Sequence, residues 1–396
     1  MSHSDPHGKI LTRRKRTPVR TLTCAVMFAL LFGSAANART EADFQLAVTA
    51  AFAPDGRLWR LRSNGHQVYA DHSDDLGETF SIPVPVNTEP QPLAISVEER
   101  ASIAFAGDAV HVAYPVAAGA GASRLYHALS TDAGRNFSTP QPLAQAPGRL
   151  HRFAMNATGE PQHFWYQEPA PGAPTALHRA SADLPQQLLT TELLTTELLT
   201  TGMCDCCRPA LAFDPQGQPV IAARFVYPGN IRDHGLIRVP ASGPPTVERV
   251  TFDQWRVATC PTQGPTLAIT QAGRYHLAWF TLGTRRGLFR AYSDDAGAHF
   301  SAPEAFGDPD AYAMSPVIAA QADAVVLLWQ EYRGGRIRVL AQRSADRGAS
   351  WGPARELAVT TGTADRPELL SRDNAFYLSW HTRSAGYRLL PIPPAP

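Results

Sequence analysis

The sequence predicts an all-β fold: a β-propeller of four-stranded antiparallel blades, with seven blades expected over six. Three observations carry this. Four octapeptides share the pattern Ser-x-Asp-x-Gly-x-x-aromatic, at 73–80 (SDDLGETF), 130–137 (STDAGRNF), 293–300 (SDDAGAHF) and 344–351 (SADRGASW). Seven short apolar strands recur at a spacing of about 50 to 57 residues, a period typical of propeller repeats. The chain after residue 38 shows alternating apolar and β-branched or aromatic residues between Gly, Pro and Asp turns, and no helical periodicity.

In chain order, the N-terminus reads as an export signal. Arg13, Arg14, Lys15 and Arg16 precede an apolar run at 22–32, and Ala36-Asn37-Ala38 offers small residues for cleavage. That run is too short to span a bilayer, which takes about 20 residues. Residues 1–38 are therefore expected to be removed, and 39–390 to be one propeller domain in the periplasm or outside the cell. The seven recurring strands hold Trp59, Tyr114, Trp165, Ala222, Trp279, Trp329 and Trp380. They are read as the inner strands of the blades. Each octapeptide follows a strand, and its composition is that of a hairpin turn: Asp bonds back to backbone amides and Gly takes the positive φ. Decayed copies stand at 181–188 and around Ser242. The last unit lacks an outer strand, which residues 44–48 are expected to supply, closing the ring and hiding its edges. The pentapeptide run at 188–201 (LLTTE-LLTTE-LLTT) reads as a loop or a lengthened outer strand, and the Pro-rich 391–396 as an extended tail.

The octapeptides resemble the Asp-box, or bacterial neuraminidase repeat, of sialidase-like β-propellers, and the resemblance covers nearly all of the chain after residue 38. It implies that Asp75, Asp132, Asp295 and Asp346 are structural turn residues on the blade periphery. It also implies an arginine clamp for a sugar carboxylate, a Tyr nucleophile with a Glu partner, and an Asp acid/base. The family's Arg-Ile-Pro motif is absent, so these roles do not map residue by residue. Tyr332 beside Glu331, with Asp233, are the candidates for catalytic groups.

Composition excludes other classes. Residues 39–396 hold 30 Arg, no Lys and 34 acidic residues, a net charge of −4. A chain without Lys there has no Schiff-base or P-loop lysine, and its bulk charge does not suit nucleic acid. No later segment is apolar enough to span a membrane.

In a propeller, strands from every blade converge on one channel. Arg208-Pro209 and Arg366-Pro367 introduce two of those strands, and Arg100 and Arg152 fall at equivalent places. Guanidinium groups from several blades would form a fork for a carboxylate. Arg208, Arg366, Arg152, Arg224, Arg232 and His381 are the expected ligand-binding residues. Met203-Cys204-Asp205-Cys206-Cys207 and Cys260 precede strands of neighbouring blades and should meet. A disulfide from Cys260 to Cys206 or Cys207 is expected, with Cys207–Cys260 as the assigned pair and no metal or cofactor. The alternative is a copper or zinc site on Cys204, Cys206, Cys207, Cys260 and Met203, or a redox role. The functional expectation is an exported propeller that binds, and in one reading hydrolyses, an acidic glycan or other acidic small ligand. Its rivals are a non-enzymatic module with an envelope protein partner and a cysteine-based metal or redox protein.

Overall fold

Alternating sequence becomes seven sheets. The computed structural model describes residues 44–144, 146–156, 158–181 and 195–394. The expected export signal, most of the decayed repeat at 181–188 and residues 188–194 lie outside them. Six sheets have four antiparallel strands, and the seventh has three among the described residues. Each sheet is a meander of strands that follow one another in sequence. The first strands of the blades are Thr49–Phe52, Ser102–Ala106, Arg149–Met155, Ala210–Phe213, Thr266–Ile269, Met314–Gln321 and Glu368–Arg372. They neighbour one another around a ring, and Glu368–Arg372 returns to lie beside Thr49–Phe52.

These first strands, not the aromatic-rich ones, face the hub. The seven conspicuous strands are the second in each blade, from Leu58–Ser63 to Ala375–Thr382. Their assignment as inner strands is therefore corrected. The physical reason is packing. A second strand is covered on both faces by neighbouring blades and carries the large apolar groups; Trp59, Trp165, Trp279, Trp329 and Trp380 are among the most buried side chains. A first strand is only partly covered along the hub and carries no Trp or other large, fully buried aromatic group. The apolar clusters lie between successive blades, so blade-to-blade packing is the core of the molecule.

The four octapeptides fold alike. Ser73 Oγ donates to Asp75 Oδ1 (2.7 Å) and accepts from the Gly77 amide (2.8 Å), while Asp75 Oδ1 accepts from the Thr79 amide (2.8 Å). The same bonds recur at Ser130/Asp132, Ser293/Asp295 and Ser344/Asp346. These donors hold Asp75 and Asp132 down to a pKa of about 2 and Asp295 and Asp346 lower still. Gly134 needs to be glycine twice over. Its φ is +79°, and a Cβ there would stand 2.2 Å from the Trp59 ring of the preceding blade.

Ring closure departs from expectation. Residues 44–48 form no outer strand; they lead into the first strand of blade one. The Ala47 and Val48 amides donate to the Asp365 carboxylate at 2.6 and 3.0 Å. Arg100 donates to the Val48 and Arg366 carbonyls and pairs with Glu368 at 2.8 Å. Arg372 adds a bond to the Gly56 carbonyl. Side chains clasp the ring where a shared sheet was expected. The final strand, Gly386–Ile392, pairs Pro391 with Tyr377 and Ile392 with Phe376, so the blade runs two residues past the expected boundary at 390.

Candidate functional site

At one end of the hub the first strands enclose a cavity of roughly 340 Å³, within the range of small-ligand sites. Its charged lining is Arg100, Arg152, Arg208 and Glu368. Arg208 and Arg100 each stand two residues before a first strand, while Arg152 lies inside one. Because the strands converge on the hub, groups spaced about one repeat apart in sequence become neighbours.

Their partners differ. Arg100 donates through Nη1 and Nη2 to two carbonyls and pairs with Glu368, while its Nε is buried without a partner. Arg366 pairs with Glu98 and donates to the Thr262 carbonyl at 2.9 Å. Arg152 donates from Nε to the Pro209 carbonyl and from Nη1 to the His151 carbonyl, leaving Nη2 buried and without a partner. Arg208 makes no hydrogen bond or ion pair with any described residue. Burial, reinforced by the Arg366 and Arg100 charges, lowers its pKa to about 10. Burial first and Arg208 second hold Arg152 well below the usual arginine range. Both groups remain guanidinium ions at neutral pH, and their charge is under-compensated. A carboxylate in the cavity would supply the missing counter-charge and accept from Arg208 and Arg152 Nη2 together.

The structure brings Arg100, Arg152 and Arg208 to the cavity with Glu368, and places Arg366 and Glu98 beside them. It sends the other expected residues elsewhere. Arg224 is fully buried, and its donors go to the Gln263, Arg232 and Phe280 carbonyls. Arg232 donates to the Val257 carbonyl beside the cysteines. His381 lies buried within the second strand of blade seven, not on the hub. Asp233 is buried and ion-paired with Arg249. Glu331 is buried, accepting from Trp329 Nε1 (2.9 Å) and the Asp308 amide (3.1 Å), whereas Tyr332 is 48% exposed. Adjacent residues of a strand point to opposite faces, so Glu331 and Tyr332 cannot act on one ligand atom. None of these six groups lines the hub cavity. Glu98 and Glu368 escaped sequence reading because nothing in their surroundings marks a partner two or more blades away.

The cysteines meet, with one correction. The disulfide joins Cys206, not Cys207, to Cys260, across a Cα separation of 6.1 Å. A turn closed by the Cys207 amide on the Cys204 carbonyl (3.1 Å) folds Cys204 and Cys207 to the same buried side and turns Cys206 outward. Cys204 and Cys207 remain free thiols.

No protein-family model and no curated protein matches the sequence. The fold has solved counterparts. A polysaccharide lyase of the PL25 ulvan lyase family superposes with a TM-score of 0.55 at 10% identity, covering 88% of this chain and 91% of that one. The same type of lyase bound to -[GlcA(1-4)Rha3S]- gives 0.53 at 10% identity, over 87% and 91%. An intramolecular trans-sialidase from Ruminococcus gnavus, in complex with oseltamivir carboxylate, gives 0.43 at 10% identity, over 88% and 93%. This chain is similar to the two lyase structures in fold. No helix among the described residues is long and apolar enough to cross a membrane.

Proposed function

We propose that this chain is an exported propeller that binds acidic polysaccharide, taking a uronate-type carboxylate on Arg208 and Arg152 at the hub. The observation that carries the reading is a pair of under-compensated guanidinium groups, one without any partner and one with a free buried Nη2, facing a cavity of sugar size. Two half-buried guanidinium groups, neither ion-paired, present open donors to the cavity, and an anionic ligand would satisfy them together. The lyase bound to an oligosaccharide of glucuronate and sulfated rhamnose supports the same ligand class on the same fold. Hydrolysis through Tyr332, Glu331 and Asp233 is not part of the proposal, since these groups lie apart. The test is retention of uronate polymers on the immobilised protein, together with neutral polymers of equal length. Retention of uronate chains alone, lost in Arg208→Ala, is expected. Equal retention of both, or of neither at low ionic strength, would overturn the reading, and capture of an envelope protein in their place would favour an assembly module.

A further inference from the structure

Beside the hub, the four cysteines make a second constellation that carbohydrate binding does not use. The Cys206–Cys260 disulfide faces outward, with Cys260 exposed and Cys206 half-buried. Behind it, Cys204 and Cys207 are fully buried. Cys204 Sγ lies 3.7 Å from Cys206 Sγ and 3.2 Å from Cys207 Sγ. A thiol pair thus stands within van der Waals contact of a disulfide sulfur, across a turn of the Cys-x-x-Cys type.

We propose that these cysteines form a thiol–disulfide relay in which the buried Cys204/Cys207 pair exchanges with the surface disulfide Cys206–Cys260. The Cys204 thiolate attacks Cys206 Sγ; the Cys204–Cys206 bond forms, the Cys206–Cys260 bond breaks, and Cys260 leaves as a thiolate. Cys207, losing its proton to the Cys260 thiolate, then attacks Cys204 Sγ, forming Cys204–Cys207 and releasing Cys206. One disulfide is present before and after, so no oxidant is consumed. The second isomer presents Cys206 and Cys260 as a surface dithiol. That dithiol can reduce a disulfide-bearing partner to two thiols, re-forming Cys206–Cys260 as it is oxidised. Electrons thereby pass from a buried pair to the surface without the buried thiols meeting solvent.

The surroundings favour the first step. The hydrogen bond shared by the Cys204 and Cys207 sulfurs, then the Arg232 and Arg224 charges, lower the Cys204 pKa to about 7 against the effect of burial. Its bond to Cys204 and burial push Cys207 up. Cys204 is thus the attacking thiolate near neutral pH and Cys207 the resolving thiol. Arg224 and Arg232, expected at the ligand site, find their place here as counter-charges.

The experiment is iodoacetamide labelling of the folded chain, mapped by non-reducing peptide mass spectrometry. Cys206 and Cys260 lie on different tryptic peptides, so the two isomers differ in which peptides remain joined. In the wild type, Cys260 should become alkylated at a rate that rises with pH through a midpoint near 7, with a Cys204–Cys207 linkage appearing in step. Cys204→Ser should lower Cys260 labelling at least tenfold while keeping the Cys206–Cys260 staple. Cys207→Ser should accumulate the Cys204–Cys206 linkage. Two results would overturn the relay: a wild-type Cys260 that stays unlabelled over hours, as in Cys204→Ser, or purified protein with no Cys206–Cys260 bond and a stoichiometric copper or zinc ion on the thiolates.

Discussion

Arg208 and Arg100 flank one cavity, yet their surroundings give them different work. Arg100 holds the ring, with Val48, Arg366 and Glu368 as partners; Arg208 holds nothing. Arg208→Ala should therefore leave stability within about 0.5 kcal/mol of the wild type and abolish carboxylate binding. Arg100→Ala should cost about 3 kcal/mol by stranding Glu368 and Asp365. Thermal denaturation and binding assays on both variants check the separation. The histidines make a second residue-scale prediction. His111 and His127 face each other at 3.0 Å, and burial lowers their pKa values to about 4 and about 3; burial also lowers His276 to about 4. Below pH 6.5 the unfolded chain binds protons that the folded chain refuses. The stability held by these neutral rings is full above that pH and is lost as pH falls toward the folded values, at about 3 kcal/mol for each ring shifted to about 4. Tm should fall steeply between pH 6.5 and 4 in calorimetry, and a flat profile would contradict the assignment.

At the scale of elements, the turns were legible in sequence because their chemistry is local: a Ser, an Asp and a Gly within five residues satisfy one another's hydrogen bonds. Substituting Gly134 with Ala should cost about 3 kcal/mol or more, because the new Cβ meets Trp59 as well as a positive φ. Gly107 also has a positive φ, of +57°, but open space around it, so Gly107→Ala should cost only about 1 kcal/mol. Comparable denaturation midpoints for the two variants would contradict the packing argument. Strand order within a blade was less legible. The aromatic second strands give the strongest pattern, and the hub-facing first strands, such as Ala210–Phe213, are short and plain. The disulfide partner was decided by a single turn: Cys206 and Cys207 are adjacent in sequence, but the bond from Cys207 to Cys204 directs one outward and the other inward.

For the whole molecule, closure is the feature that sequence periodicity conveys least. The repeat gives the number of blades, whereas the clasp depends on Asp365 meeting the backbone of residues 47 and 48, more than 300 residues away in sequence. Replacing Asp365 with Ala would leave two buried amides without their acceptor. About 3 kcal/mol should be lost, and the blade-one and blade-seven strands should lead in hydrogen exchange. The same closure brings Arg366 and Glu368 beside Arg100, and so assembles the hub from both ends of the chain. The hub arginines recurred in the sequence at comparable places and were found there; their acidic partners were not, because each pairing crosses the ring. The central claim is that the hub takes a carboxylate. Its most direct test is calorimetric titration with a hexuronate oligosaccharide and with the same oligosaccharide after carboxyl reduction, using the wild type and Arg208→Ala. The account predicts that only the unreduced sugar binds the wild type, at least tenfold more tightly than it binds the variant. Equal affinity for the two sugars, or a variant as tight as the wild type, would contradict it.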